Sequence, residues 1–149
     1  MVSVDAGDGL TITAALADEL LAHARAEVPN EACGILAGSL AEGRAKAFHP
    51  ARNADASPYV YNVHPDDLVR IVLGIEDAGE DLVAIFHSHT HTPAVPSPTD
   101  RRQAMYPDAF YLLATLMNPD VEPMQALRAW RIRDVEVTEV ALRILSPAA

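Results

Sequence analysis

The sequence predicts an α/β fold with a mixed central β-sheet flanked by helices. Two segments place apolar residues at helical spacing, and several short apolar runs are bounded by glycine, proline or polar residues, as strands are. One run, Leu82 to Phe86, is apolar without alternation, which is typical of a strand covered on both faces at the centre of a sheet. The 149 residues fall within the usual size of one domain, so a single domain over residues 1–149 is expected.

The first half of the chain predicts two helices and a hairpin. The expected elements are a strand at 10–12, a helix capped by Thr13 and ended before Pro29, a strand at 33–38 with a hairpin partner at 45–48 across Glu42 and Gly43, a polar loop at 53–58, and a helix from Pro65 to Gly79.

The second half predicts one short helix among strands. The expected elements are the central strand at 82–86, a helix from Pro98 to about Met105 stopped by Pro107, and strands at 109–116, 126–133 and 137–145.

Composition excludes several classes of function. With 11 Lys+Arg against 21 Asp+Glu the formal net charge is -10, so a phosphate backbone is repelled and no nucleic-acid partner is expected. The longest apolar runs fall far short of the roughly 20 residues of a membrane span, and the first residues lack the basic start and apolar core of a signal peptide. We therefore expect a cytoplasmic protein that does not enter membranes. The single cysteine, Cys33, excludes an intramolecular disulfide or a cysteine-built zinc cluster, so any metal ligands must be His, Asp or Glu.

The most informative segment is 87–100, HSHTHTPAVPSPTD, directly after the central strand. In an extended chain His87 and His89 point to the same side and can both reach one ion. Each piece also has an ordinary interpretation, since paired histidines occur at strand ends and Ser97 to Asp100 has the composition of a helix cap. Together, however, two imidazoles and one carboxylate leave the fourth position of tetrahedral zinc for water, which is the pattern of a catalytic site.

His91 competes with Asp100 for the third ligand position. Residues four apart on a straight strand are separated by roughly 13 Å, more than two imidazoles on one ion span comfortably. Asp100 is therefore preferred unless the chain bends sharply at Thr90, and His91 is expected to be a solvated loop histidine.

The spacing of these residues resembles that of a known family. His87-x-His89, seven residues, Ser97, two residues and Asp100 reproduce the H-x-H-x(7)-S-x-x-D signature of the JAMM metalloproteases, also called MPN+ domains. Residues 29–38, PNEACGILAG, resemble the segment that carries the catalytic glutamate in bacterial members. Within the family the chain is most similar to the actinobacterial Mec-type peptidases.

The resemblance implies a fold, a cofactor and residue roles. It implies a JAMM/MPN domain of cytidine-deaminase-like architecture with one Zn²⁺ per chain and a bound catalytic water. His87, His89 and Asp100 would be the metal ligands. Glu31 would be the general acid/base and Ser97 a hydrogen-bond donor to the oxyanion, although without the resemblance Glu31 is an ordinary loop glutamate and Ser97 equally fits a helix cap.

The resemblance also implies a substrate. Mec-type peptidases remove cysteine from the carboxyl terminus of a ubiquitin-like sulfur-carrier protein, so the expected partner is such a carrier with a C-terminal Gly-Gly. The expected reaction is hydrolysis of the amide or isopeptide bond at that tail. Two alternatives are deubiquitinase-like cleavage of lysine-linked chains and a non-catalytic MPN scaffold, and the presence of Glu31 and all three ligand residues argues against the second.

Three other side chains receive structural interpretations. Cys33 begins an apolar strand and is expected to be an inert buried thiol. Trp130 and Phe86 are expected to belong to the core.

Overall fold

The computed structural model describes residues 4–118 and 120–147, which contain seven strands and four helices. The strands are β1 (Val4–Thr13), β2 (Cys33–Ser39), β3 (Arg44–Ala51), β4 (Asp81–His89), β5 (Phe110–Thr115), β6 (Leu127–Arg133) and β7 (Glu136–Leu145). The helices are α1 (Ala14–Ala26), α2 (Pro65–Asp77), α3 (Pro98–Gln103) and α4 (Pro123–Ala126).

All of these strands belong to one sheet that closes on itself in the order β1-β3-β2-β4-β5-β6-β7. The sheet is mixed: β1 runs parallel to both β3 and β7, β4 runs parallel to β5, and the other pairs are antiparallel. The predicted mixed sheet with helices is confirmed. Its closure was not predicted, because closure depends on the pairing of β1 with β7, and hydrophobic patterning within a strand does not specify a distant partner.

Helices cover the sheet on two sides. One core cluster includes Leu20 of α1 with Leu36 of β2 and Phe86 of β4. The other includes Ile75 of α2 with Ile85 of β4. Consecutive residues of β4 therefore enter different clusters, which confirms that the apolar run 82–86 is a strand covered on both faces. No helix within the described ranges is long and apolar enough to cross a bilayer.

The hairpin and the second helix form where the sequence predicts them. β2 and β3 pair antiparallel, and Gly43 takes φ +62° in the turn between them, a backbone conformation that glycine adopts without strain. Pro65 occupies the first turn of α2, and Gly79, at φ +69°, lies two residues after its end.

Two of the differences from the predicted elements concern the short helices α3 and α4. Helix α3 ends at Gln103, short of the expected Met105, and the backbone at Ala104 is extended. The reason is that the Tyr111 hydroxyl accepts hydrogen bonds from the amides of Met105 and Tyr106, at 3.0 and 3.1 Å, so these amides leave the helical pattern. The short helix α4 was not predicted, and Glu122 and Gln125 form a capping box at its start.

The pairing of β2 with β4 determines where the site forms. The two strands are antiparallel, and Cys33 at the start of β2 lies opposite His87 near the end of β4. The loop before β2 and the end of β4 therefore meet at one edge of the sheet. Glu31 lies in that loop, next to the two histidines of β4.

Candidate metal centre

Three side-chain atoms converge at the end of β4. The Nε2 atoms of His87 and His89 are 3.3 Å apart, and Oδ2 of Asp100 lies 3.0 Å from the first and 3.1 Å from the second. All three residues are buried. The structure thus brings together the three side chains that the sequence singles out as metal ligands, although they come from a strand and from the helix that follows it.

This triangle fits a tetrahedral metal ion. Ligands bound to zinc at 2.0–2.1 Å lie about 3.4 Å from one another, close to the three observed separations. The donor set of two imidazole nitrogens and one carboxylate oxygen is also one that zinc accepts. These residues can therefore hold one ion and leave a position open for another ligand.

The hydrogen bond at Nδ1 of His89 favours the tautomer that binds a metal ion. Its Nδ1 lies 2.7 Å from the carbonyl oxygen of Pro93, and since a carbonyl can only accept, Nδ1 must donate. In a neutral imidazole the proton on Nδ1 leaves the Nε2 lone pair free as a ligand. Burial lowers the pKa of His89, but hydrogen bonds to Asp100 and to Pro93 outweigh this effect and leave the pKa raised, so a metal ion binds Nε2 in competition with a proton.

His87 is enclosed completely. Burial lowers its pKa, which favours the neutral ring that a metal requires. The ring of Tyr61 stacks on it with centroids 4.2 Å apart, which fixes its plane. Its Nδ1 is buried and without a hydrogen-bond partner within the described residues.

Asp100 is held by the first turn of α3. Its Oδ2 accepts from the backbone amide of Ser97 at 2.9 Å, while the Ser97 hydroxyl accepts from the backbone amide of Asp100 at 3.0 Å. This reciprocal pair is a capping box, so the helix-cap interpretation of Ser97 is present in the structure. Burial alone would raise the pKa of Asp100. Hydrogen bonds from His87 and His89 have the opposite and larger effect, so the pKa lies below its ordinary range.

Glu31 faces the same cluster from the loop before β2. One of its carboxylate oxygens lies within 4.8 Å of ring nitrogens of both histidines, so Glu31 is also within reach of an ion there. Its Oε1 is buried and has no hydrogen-bond partner among the described residues. Burial raises the pKa of Glu31 to about 7, a tendency that His89 opposes and the charge of Asp100 reinforces. A carboxyl group with a pKa near neutrality can both accept and release a proton under cellular conditions.

A group of hydrogen bonds that the sequence did not predict holds the Glu31 backbone. The amide of Glu31 donates to the Ser57 carbonyl at 2.8 Å. The Asn53 side chain donates to the carbonyls of Glu31 at 3.1 Å and Val60 at 3.0 Å. The Asn53 side-chain oxygen in turn accepts from the amides of Asp55 and Asn62, both at 3.1 Å.

Ser88 holds the backbone of Ala32, the residue after Glu31. Its hydroxyl accepts from the amide of Ala32 at 2.8 Å, and its own amide donates to the Ala32 carbonyl at 3.1 Å. The sequence contains only weak indications of these two roles. Ser88 alternates with the two histidines and so faces away from them, and Asn53 begins a loop that is polar throughout. Neither pattern identifies a particular hydrogen-bond partner.

The structure also shows the exposure of His91 and the burial of Cys33, Trp130 and Phe86. His91 is exposed, as expected of a solvated loop histidine. Cys33 is fully buried, and burial raises the pKa of its thiol to about 12, which keeps it protonated and unreactive. Trp130 and Phe86 are fully buried core residues.

Comparison with known proteins identifies the class to which this fold and site belong. The family model described as prokaryotic homologs of the JAB domain matches residues 13–133, and the chain belongs to that family. This membership confirms the resemblance to the JAMM/MPN+ enzymes.

Two curated proteins and one solved structure are similar to most of this chain. The chain is 40% identical over 136 residues to the CysO-cysteine peptidase of Mycobacterium tuberculosis, covering 91% of each chain. It is 40% identical over 111 residues to the desampylase of Haloferax volcanii, covering 71% of this chain and 80% of the relative. A solution structure of a Desulfitobacterium hafniense protein superposes with a TM-score of 0.82 at 31% identity, covering 93% of this chain and 94% of that one.

Proposed function

We propose that this protein is a JAMM-type zinc peptidase that hydrolyses the amide or isopeptide bond at the C-terminal Gly-Gly tail of a ubiquitin-like sulfur-carrier protein, releasing cysteine. The observation that carries the proposal is the triangle of His87, His89 and Asp100, 3.0–3.3 Å on each side, with the free carboxylate oxygen of Glu31 beside it. The substrate follows from the similarity to the peptidase of M. tuberculosis, which is named for a CysO-cysteine substrate and matches 91% of this chain.

His87, His89 and Asp100 would hold the zinc. When bound, zinc supplies Lewis acidity toward the scissile carbonyl and lowers the pKa of a coordinated water to about 7. Asp100 is the better third ligand than Glu31, because its Oδ2 already lies 3.0 and 3.1 Å from the two histidine nitrogens and its pKa is lowered rather than raised.

Glu31 would transfer the proton. The attacking water adds its oxygen to the carbonyl carbon and loses a proton to the Glu31 carboxylate. As the carbon–nitrogen bond breaks, Glu31 returns that proton to the departing amine, so the products are a free glycine carboxylate and an amino group. A pKa near 7 suits both steps, since the group must accept a proton and then release it.

Ser97 would act in two ways. The cap uses an oxygen lone pair of its hydroxyl, which accepts from Asp100, and leaves the hydroxyl proton available. That proton can be donated to the oxygen that becomes negative during attack on the carbonyl. Meanwhile the Ser97 amide orients the Asp100 carboxylate.

The experiment uses a carrier–cysteine adduct and zinc-loaded protein, with mass spectrometry of the carrier following the loss of cysteine. A matched adduct has both terminal glycines replaced by leucine. We expect cleavage of the Gly-Gly adduct and at least about tenfold slower cleavage of the leucine adduct, because side chains at those positions obstruct a narrow approach to buried residues. No cleavage of either adduct with zinc bound would reject the proposal in favour of a non-catalytic scaffold. Cleavage of lysine-linked conjugates alone would favour the deubiquitinase-like alternative.

A further inference from the structure

A cavity of about 320 Å³ lies next to the candidate metal centre. Its floor is Ile85 of β4 and Tyr111 of β5, which are register partners. Ile85 precedes His87 by two residues, so it lies on the same face of β4 as the histidines. The other lining residues include Tyr61, Val63 and Leu68, together with Arg102, Gln103 and Met105 from the end of α3 and the turn after it.

The cavity and the metal centre share two structural parts. Tyr61 stacks on the His87 ring and also lines the cavity. Helix α3 carries Asp100 in its first turn and Arg102 two residues later. Because Tyr61 borders both, a substrate whose scissile carbonyl lies beside Glu31 and His87 can extend one of its two sides into this cavity.

The chemistry of the proposed substrate indicates which side enters. On the acyl side the carrier ends in two glycines, which have no side chains to fill a cavity. On the other side is the amino acid that leaves, and when that residue is the last in the chain it bears a free α-carboxylate. A cavity of 320 Å³ is within the usual range for small-molecule sites, so it accommodates a whole amino acid.

The charge of the cavity matches that carboxylate. Of the residues that line it in the described part of the chain, Arg102 alone carries a full charge. Its Nη2 donates to the Thr99 hydroxyl at 3.2 Å, which orients the guanidinium along α3 and leaves other N–H groups free. In a protein with a net charge of -10, this arginine offers an anionic group a local cation within the lining of the cavity.

We propose that the cavity binds the leaving amino acid and that Arg102 pairs with its free α-carboxylate. Arg102 then determines specificity: the enzyme removes a single C-terminal residue and discriminates against leaving groups that lack a carboxylate at this position, such as the side chain of a lysine within a protein. This inference rests on the proposed peptidase function and adds to it the part of the substrate that is recognised on the leaving side.

The test compares two carrier–Gly-Gly–cysteine adducts that differ only at the last group, one with a C-terminal carboxylate and one with a carboxamide. We expect the wild-type enzyme to have a kcat/KM about tenfold or more higher for the acid, in line with a charge-assisted hydrogen bond. Arg102→Gln should lower kcat/KM for the acid to the level of the amide, so that the preference is lost. Arg25→Gln, on the exposed surface of α1, is the matched control and should keep the preference.

Binding provides a second readout that does not require turnover. In the Glu31→Gln background the acid adduct should bind more tightly than the amide, and adding Arg102→Gln should remove the difference. Equal affinities in the Glu31→Gln protein, or a preference that survives Arg102→Gln, would overturn the inference. Such a result would leave the proposed hydrolysis intact if both adducts are cleaved by the wild type, so the two proposals fail separately.

Discussion

His89 illustrates how single hydrogen bonds prepare the site. The bond from its Nδ1 to the Pro93 carbonyl directs its Nε2 lone pair toward His87 and Asp100. The sequence gives the spacing of the two histidines, but the tautomer depends on where the Pro93 carbonyl falls after the chain leaves β4. The arrangement is therefore evident only from the folded chain.

The metal assignment predicts which histidines matter. The His87→Ala/His89→Ala double variant should lose its zinc, because two of the three ligands are gone. His91→Ala should keep about one zinc per chain, since His91 is exposed. Elemental analysis of the purified proteins measures this directly. Zinc retained by the double variant would contradict the assignment.

Asn53 should act as a positioning residue for Glu31. Asn53→Ala removes the hydrogen bond to the Glu31 carbonyl together with three bonds inside the loop. We expect kcat to fall about tenfold, with KM and zinc content little changed, because the carboxylate shifts while the ligands stay in place.

Asn53→Asp separates the hydrogen bonds that the Asn53 side chain donates from those that it accepts. It keeps an oxygen to accept from the amides of Asp55 and Asn62 but loses the donor to the carbonyls of Glu31 and Val60. A similar fall in kcat would show that the donated bonds, and not the accepted ones, position Glu31. Normal kcat in both variants would exclude a positioning role for Asn53.

At the level of secondary structure, the first turn of α3 combines a helix cap with Asp100, the proposed third metal ligand. Ser97→Ala removes the hydroxyl that accepts from the Asp100 amide, and losing such a cap costs about 1 kcal/mol. If Ser97 also donates to the oxyanion, kcat should fall by about 10²-fold with zinc retained, more than a destabilised helix explains. A lower melting temperature with normal kcat would leave only the capping role.

A second element-scale contact joins the end of β3 to α2. The Asp67 carboxylate accepts from the Arg52 amide at 2.8 Å and from its Nε and Nη2, both at 3.0 Å. These bonds hold the pKa of Asp67 below its ordinary range, with the Arg52 side chain as the main cause. Because Arg52 immediately precedes Asn53, the contact also anchors the loop that braces Glu31.

The lowered pKa of Asp67 predicts a pH-dependent contribution to stability. Folding favours the ionised carboxylate, so the contribution is present above about pH 4 and is lost as the pH falls through the range where Asp67 protonates. Asp67→Asn should lower the melting temperature by about 3 °C or more at pH 7, and by less at about pH 3. Asp66→Asn, in the same helical turn but exposed, is the control and should change little. A deficit of equal size at both pH values would contradict this account.

Element types were more predictable than their pairing. Apolar spacing and the Pro65 and Gly79 signals predicted α2, and the non-alternating run predicted β4. The early end of α3 was not predictable, because it depends on the Tyr111 hydroxyl, which reaches the helix from β5.

At the scale of the whole molecule, strand pairing assembles the site. Glu31 and the two histidines are more than fifty residues apart in sequence, and the antiparallel pairing of β2 with β4 places them at one edge of the sheet. The H-x-H-x(7)-S-x-x-D spacing predicted which three side chains converge, because strand geometry and a helix cap are local. The place of Glu31 beside them came only from the family resemblance, since no local pattern connects it to β4.

This long-range arrangement has an energetic consequence for Glu31. Its Oε1 is buried without a partner among the described residues, and burial raises its pKa. Folding therefore buries a carboxyl group that is unfavourable to ionise. This cost is consistent with a group retained for proton transfer and not for stability.

In the proposed mechanism Glu31 moves the proton while His87, His89 and Asp100 hold the zinc. The most direct measurement is the turnover of Glu31→Gln on the carrier–cysteine adduct, in a sample shown to contain about one zinc per chain. We expect zinc to be retained and kcat to fall by about 10²-fold or more, the usual effect of removing a general base. Near-normal turnover would show that Glu31 is not the base, and loss of zinc from this variant would show that Glu31 is a ligand instead.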